Sequence, residues 1–363
     1  MTYKNLKIKI FYLIYGKIKK IIKAKEKKEI KIKKIVFTKK IFYNLFNVPN
    51  GRLYSDTVHD TAIISKESLI QDASFQYRVK KNLRIVNGKI KDNTVIKHGT
   101  PKLLKNIKGS VFSLLCGGAA KNNYWHWIFD VLPKIGILEK SNLNIKPDFY
   151  LLPSFSKNYQ KQTFLKMGIP ISKLLDGEKF KHFICDNLIT VDHPIVFNNN
   201  PSDSIQDIPE WIIKWLRKKF ITSNLVNPKL PKKIFINREN ESSSHSRKIV
   251  NINEVKKLLI DQGFEILTLS TYNFKEQVEI FKAANFIVGL HGAGLTNVVF
   301  SKPRHTTVLE IQSTTSGEAN SNLIKKCKLN YKRISEKNTS PELKYQNSHI
   351  IVNLTKLKKI ISS

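Results

Sequence analysis

Two groups of residues in this 363-residue chain have the types and spacing to do chemistry. One is the turn His291-Gly292-Ala293-Gly294-Leu295-Thr296-Asn297, which follows the apolar run Asn285 to Leu290. An apolar run entering a turn of small residues reads as a buried parallel strand passing into a helix. Glycines there let a ligand approach the backbone closely. The amides that open the next helix carry partial positive charge, so such a corner holds anions, phosphates above all. The bland alternative is a tight turn that binds nothing. The other group is His126 and Asp130, whose four-residue spacing puts them on one face of a helix. A carboxylate beside an imidazole orients it, and either group can take a proton from a hydroxyl. Trp125, Trp127 and Phe129 lie around them, as core residues or as apolar surfaces for a sugar ring.

The elements around the turn are predicted to alternate. Lys233 to Ile236 reads as a short strand ending at Asn237 and Arg238, and Arg247 follows a Ser-rich stretch. A helix over Asn253 to Gln262, a strand over Phe264 to Leu269 and a helix over Asn273 to Ala284 lead into the turn. Thr307 to Ile311 reads as one more strand, carrying Glu310. This order implies a parallel sheet with helices on both faces. Ligands on such sheets bind beyond the carboxyl ends of the strands. Arg238, Arg247, His291, the amides of Gly292, Ala293 and Gly294, Asn297 and Glu310 therefore form the candidate nucleotide site. The guanidinium and the amides suit a pyrophosphate, and the carboxylate suits ribose hydroxyls. Lys134 is a weaker candidate for steering the donor.

Three blocks carry a resemblance to a known family. They are Asn123-Tyr124-Trp125-His126-Trp127-Ile128-Phe129-Asp130-Val131-Leu132-Pro133-Lys134, then Asn237-Arg238 with Arg247, then the run Phe274 to Glu310. In order and spacing they resemble glycosyltransferase family 61, which includes bacterial capsule and lipopolysaccharide enzymes and eukaryotic xylan- and O-GlcNAc-transferring enzymes. The resemblance implies an α/β GT-B fold, two Rossmann-like domains facing a cleft. It implies an inverting transferase that takes a sugar from a nucleotide-sugar donor to a glycan or lipid-linked acceptor, with no cofactor and no obligatory metal. It also implies that the His126–Asp130 block faces the cleft, without deciding which of the two is the base.

The whole chain sets bounds. Sixty-three Lys and Arg against 28 Asp and Glu give a net charge of +35. Nucleic acid, an anionic membrane and a lysine-rich genome all explain such an excess. No zinc spacing or RNA-binding aromatic pattern appears, so nucleic acid is not expected as a partner. Cys116, Cys185 and Cys327 are scattered, without metal-ligand spacing, and read as reduced packing residues. No Asp-x-Asp motif sits at a strand end, in keeping with chemistry that uses no metal. Residues 1–46 hold fifteen lysines against two glutamates. Ile8, Phe11, Tyr15, Ile18 and Ile22 recur there at helical spacing, which suggests an amphipathic helix lying on an anionic membrane. No cleaved signal peptide or membrane span is read, so the expected location is the cytoplasm, at the inner face of the membrane.

The expected organisation is a basic helical segment over 1–48, bounded by Pro49-Asn50-Gly51, and an acceptor-side Rossmann-like domain over 49–205. A nucleotide-sugar domain over 206–345 follows, with a strand and helix over 346–363 that could cross back to the first domain. Two rivals remain. A Rossmann oxidoreductase would need a third glycine that the 291–297 turn lacks. A non-catalytic nucleotide-binding or membrane-associated scaffold would not need His126, Asp130, Arg238 and His291 together.

Overall fold

The computed structural model describes residues 3–15, 17–80, 84–195, 200–223, 225–238, 247–339 and 349–362. The expected boundary near 345 lies outside them. The chain forms two compact units, residues 1–205 and 206–363.

The second unit is the expected parallel α/β layer. Among the described residues its sheet has five strands, in the order Glu265–Leu267, Lys233–Ile236, Phe286–Leu290, Thr307–Ser313, Asn330–Glu336. Every neighbouring pair is parallel. Because side chains alternate across a strand, the sheet is apolar on both faces. Phe235, Val288, Leu309 and Ile311 pack with Val255 and Leu259 of helix Ile252–Asp261 on one side. Ile234, Ile287 and Val308 are fully buried on the other. Leu357 and Ile361 of the last helix, Leu354–Ile361, join the first of these cores, so that helix packs on its own unit. The segment after the 291–294 turn is a 3-10 helix, Ala293–Phe300, and not an α-helix.

The strand order is the informative part. The first strand of this unit, Lys233–Ile236, has the second, Glu265–Leu267, on one side and the third, Phe286–Leu290, on the other. The crossovers leave in opposite directions there, and a doubly wound sheet opens a crevice at that reversal. Arg238 and His291 follow the two strands that flank it.

The first unit departs from expectation. Among its described residues an eleven-stranded mixed sheet replaces a Rossmann-like one. Lys105–Ser113, Phe149–Leu152, Leu174–Asp176 and His182–Val191 are parallel neighbours. Phe42–Ser55 pairs antiparallel with His182–Val191, Asp60–Ser65 and Lys31–Val36. Residues 17–48 are thus part of this sheet and not a separate helical segment. Pro49-Asn50-Gly51 does not break the chain either. It lies inside strand Phe42–Ser55, where Pro49 and Gly51 pair with Asn187 and Cys185, and Asn50 takes up the irregularity at φ 48°.

Among the described residues of the N-terminus, Tyr3–Tyr15 is α-helical and Ala24–Glu26 forms a single 3-10 turn. The faces of the α-helix are reversed relative to the sequence expectation. Phe11 is buried and stacks on Tyr15, whose ring meets His182 edge-on. Ile18 and Ile22 pack against cores of the first unit. The Ile8 side chain lies outside the described residues. Leu6, Ile10, Leu13 and Ile14, spaced to share one helix face, are the exposed apolar residues, and Leu13 is 86% exposed.

Candidate active site

The turn after Phe286–Leu290 is built around one carbonyl. Arg238 Nη1 donates to the main-chain oxygen of His291 at 3.1 Å, and Arg247 Nη1 donates to the same oxygen. Both guanidiniums lie over Gly292. A Cβ there would stand 2.5 Å from Arg238 Nη1 and 3.0 Å from Arg247 Nη1. Gly292 also has φ 140°, which a side chain rarely tolerates. Asn320 Nδ2, which was not foreseen from sequence, donates to the Gly292 carbonyl at 3.2 Å. Gly292, Ala293 and Gly294 stay partly exposed while Leu295 to Phe300 are buried. The opening amides of a helix have no partner within it. Two guanidiniums and a run of such amides are chemically suited to an anion.

The other expected members of this site have different tasks. Glu310 is fully buried within strand Thr307–Ser313. Its Oε1 is 2.6 Å from His291 Nδ1, and its Oε2 accepts from the Tyr331 hydroxyl at 2.7 Å. Both oxygens are engaged, so the expected ribose contact gives way to an orienting one. The carboxylate holds His291 Nδ1–H and thereby fixes the ring. Burial and the Glu310 charge push the Tyr331 phenol well above its usual range, which keeps it a donor. Asn297 is also fully buried. It donates to Gln277 Oε1 at 2.8 Å, and Gln277 in turn donates to the Leu269 and Tyr272 carbonyls. Asn297 braces the loop before helix Phe274–Ala283 instead of meeting a nucleotide. Neither partner was visible from sequence, because both contacts join residues twenty or so apart.

In the first unit His126 Nδ1 lies 2.7 Å from Asp130 Oδ2, as the four-residue spacing predicts. The element that carries them is not one regular helix. Tyr124–His126 is α-helical, Trp127–Val131 forms a π-turn, and Pro133–Lys140 is α-helical again. Pro133 has no N–H to return to the preceding turn, so the ladder opens ahead of it. Leu132 N reaches back to Trp127 O instead, and Cys116 Sγ donates to the Asp130 carbonyl. Such π-turns commonly mark functional positions. Trp127 and Phe129 are fully buried and Trp125 nearly so, which makes them core and not a sugar platform. Lys134 is buried as well and donates to Leu115 O at 2.7 Å, so it steers no donor. Cys116, Cys185 and Cys327 are buried and free, and burial pushes each thiol up to about 12. They are packing residues, not nucleophiles.

The Asp130 carboxylate is buried, and its Oδ1 has no hydrogen-bond partner among the described residues. His193 Nε2 is 3.8 Å from Oδ2. Burial lowers the His193 pKa to about 4, with Asp130 acting the other way. The imidazole is therefore neutral at pH 7. His193 was missed from sequence, although it sits just past the carboxyl end of strand His182–Val191, the same location that singled out Arg238 and His291.

Two expectations follow. Gly292→Ala should cost about 1–3 kcal/mol in chemical denaturation, the scale of a residue held in a rare backbone region. Gly294→Ala, whose Cβ would meet only Ile236 Cγ2 at 3.2 Å, should cost less. Equal costs would remove the special status of Gly292. His193 has a folded pKa below its ordinary value, so the unfolded chain binds more protons and stability falls as pH drops from about 6.5 through about 4. The difference in melting temperature between wild type and His193→Gln should therefore change across that window. A constant difference would show that His193 is not held neutral.

Residues 124–309, just over half of the chain, match Glycosyltransferase 61. The match contains His126, Asp130, Arg238, Arg247 and the whole 291–297 turn, and stops one residue short of Glu310. No curated protein matches the chain. A family model that spans just over half of the chain shows the family: this chain belongs to glycosyltransferase family 61 and is a glycosyltransferase.

Proposed function

We propose that the enzyme is an inverting transferase with the donor held in the second unit and the base in the first. The observation that carries this reading is the pair of guanidiniums converging over Gly292 at the strand-order reversal. A nucleoside diphosphate-sugar lays its pyrophosphate against Arg238, Arg247 and the amides of Gly292, Ala293 and Gly294. Planar guanidiniums grip phosphate oxygens in pairs. These cations and amides meet the charge that builds on the leaving diphosphate, the task a divalent metal performs elsewhere. His291, held by Glu310, directs its remaining nitrogen to phosphate or sugar.

His126 is the base in this reading and Asp130 its orienter. Asp130 is buried and holds His126 Nδ1–H, while the imidazole is the more accessible of the two. An acceptor hydroxyl gives its proton to His126 Nε2 as its oxygen attacks the anomeric carbon. The bond from that carbon to the diphosphate oxygen breaks, and the electron pair leaves with the phosphate. One displacement inverts the configuration. It requires the two units to present donor and acceptor to each other, which is the GT-B arrangement we propose.

The acceptor we propose is a glycan or lipid-linked oligosaccharide of a surface polysaccharide, capsule or lipopolysaccharide. The helix Tyr3–Tyr15 supports a peripheral position at the cytoplasmic face of the membrane. Leu6, Ile10, Leu13 and Ile14 face outward among lysines, a pairing that suits an anionic bilayer. No helix among the described residues is long and apolar enough to cross a membrane.

The donor site is tested by titrating UDP, GDP and CMP in the presence of a chelator. Arg238→Ala should weaken the preferred nucleotide by about 1.5–3 kcal/mol, the value of a charge-assisted hydrogen bond. Asp130→Asn and His126→Ala should bind it as wild type does and lose turnover. Undiminished nucleotide binding in Arg238→Ala would place the donor elsewhere. For the membrane, full-length protein should sediment with anionic vesicles, less so with salt, and not with neutral ones. Leu13→Glu with Ile14→Glu should abolish this. Sedimentation that survives the double substitution would refute the helix as the docking face.

A further inference from the structure

The first unit contains a cavity of about 390 Å³ that borders the His126–Asp130 pair without including it. It falls in the size range of small-ligand pockets. Its wall combines aromatic and polar groups, including Phe75, Asn44, Asp72, Lys134, Asp192 and His193. The Phe75 ring lies stacked on Tyr77, which is itself buried. Asp192 Oδ2 accepts from both the main-chain and side-chain nitrogens of Asn44, at 2.7 and 3.0 Å. Burial is the first cause that raises its pKa, to about 6, and Asp72 adds to the rise. His193 forms part of the wall and stands 3.8 Å from Asp130 Oδ2 on its other side.

This chemistry selects among ligands. Asp72 and Asp192 offset the two lysines of the wall, exposed Lys40 and buried Lys134, so the cavity offers a phosphate no net positive charge and does not duplicate the proposed donor site. Among the described residues no three His, Cys, Asp or Glu gather as a metal-binding group. A compact ligand rich in hydroxyls fits instead. Carboxylates accept from hydroxyls, the lysine and neutral imidazole supply further polar contacts, and an aromatic face gives an apolar floor for ring C–H groups.

We propose that this cavity binds one sugar ring of the acceptor glycan, with His193 linking it to the base pair. The proposal rests on the reading of His126 and Asp130 as the base system, and makes His193 a positioning residue. Held there, the acceptor would bring a hydroxyl toward His126 while its remaining hydroxyls are read by Asp192 and Asn44.

The test is ligand-observed saturation-transfer NMR on the full chain, with methyl glycosides of glucose, galactose, mannose, xylose and N-acetylglucosamine as probes. At least one should receive saturation from the wild-type protein. The signal should fall at least tenfold in Asp192→Asn and in Asn87→Trp. The second variant fills the cavity from an exposed position at its edge and spares the buried polar groups. Arg238→Ala should retain the signal. The proposal is overturned if no glycoside is saturated, if both cavity variants keep the signal, or if Arg238→Ala loses it. Nucleoside diphosphate titration of the same samples separates the two readings. Cavity variants should bind the nucleotide as wild type does, and a failure of nucleotide binding in wild type would strike the donor site alone.

Discussion

Two cations sharing one main-chain carbonyl is the constraint on which the second unit depends. Guanidiniums repel each other at close range, so bringing two of them over one turn is a demand the fold has to meet. The fold brings Arg238 and Arg247 there all the same, and gives up a side chain at position 292 to do so. The strand reversal sets the location, since Lys233–Ile236 and Phe286–Leu290 are neighbours whose crossovers part. The buried Glu310–His291–Tyr331 chain keeps the turn in register from beneath, and Asn320 ties it from the side.

The first unit solves a different problem. It must hold an imidazole accessible and its carboxylate partner buried. Pro133 interrupts the helical ladder, the π-turn absorbs the interruption, and Asp130 is left with one oxygen on His126 and the other without a partner. A buried carboxylate oxygen in that state is costly unless something polar meets it. The neutral His193 stands 3.8 Å from the oxygen that His126 engages, and it connects the pair to the adjoining cavity.

The second unit was legible because its strands are short apolar runs ending in polar residues, the mark of a sheet buried on both faces. The first unit was not. Its N-terminal strands are half exposed and carry lysines outward, as in Lys31–Val36, so their apolar residues fell into a spacing that also suits a helix. The fourteen-residue strand Phe42–Ser55 hid behind a Pro-Asn-Gly signal that normally ends an element. Pairwise spacing revealed His126 with Asp130, since they lie on one helix. It gave no access to Glu310 with His291 and Tyr331, or to Asn297 with Gln277, whose partners come from other strands and helices. Those contacts turned two expected ligand-binding residues into supports.

The central claim is that the amides opening the Ala293–Phe300 helix hold the donor's phosphates. Hydrogen–deuterium exchange of the full chain, with and without the tightest-binding nucleoside diphosphate, measures those amides directly. Peptides covering residues 286–300 should exchange more slowly when the nucleotide is present, most strongly at Gly292, Ala293 and Gly294. Protection confined to other segments, with the 291–295 turn unchanged at saturating nucleotide, would contradict the account.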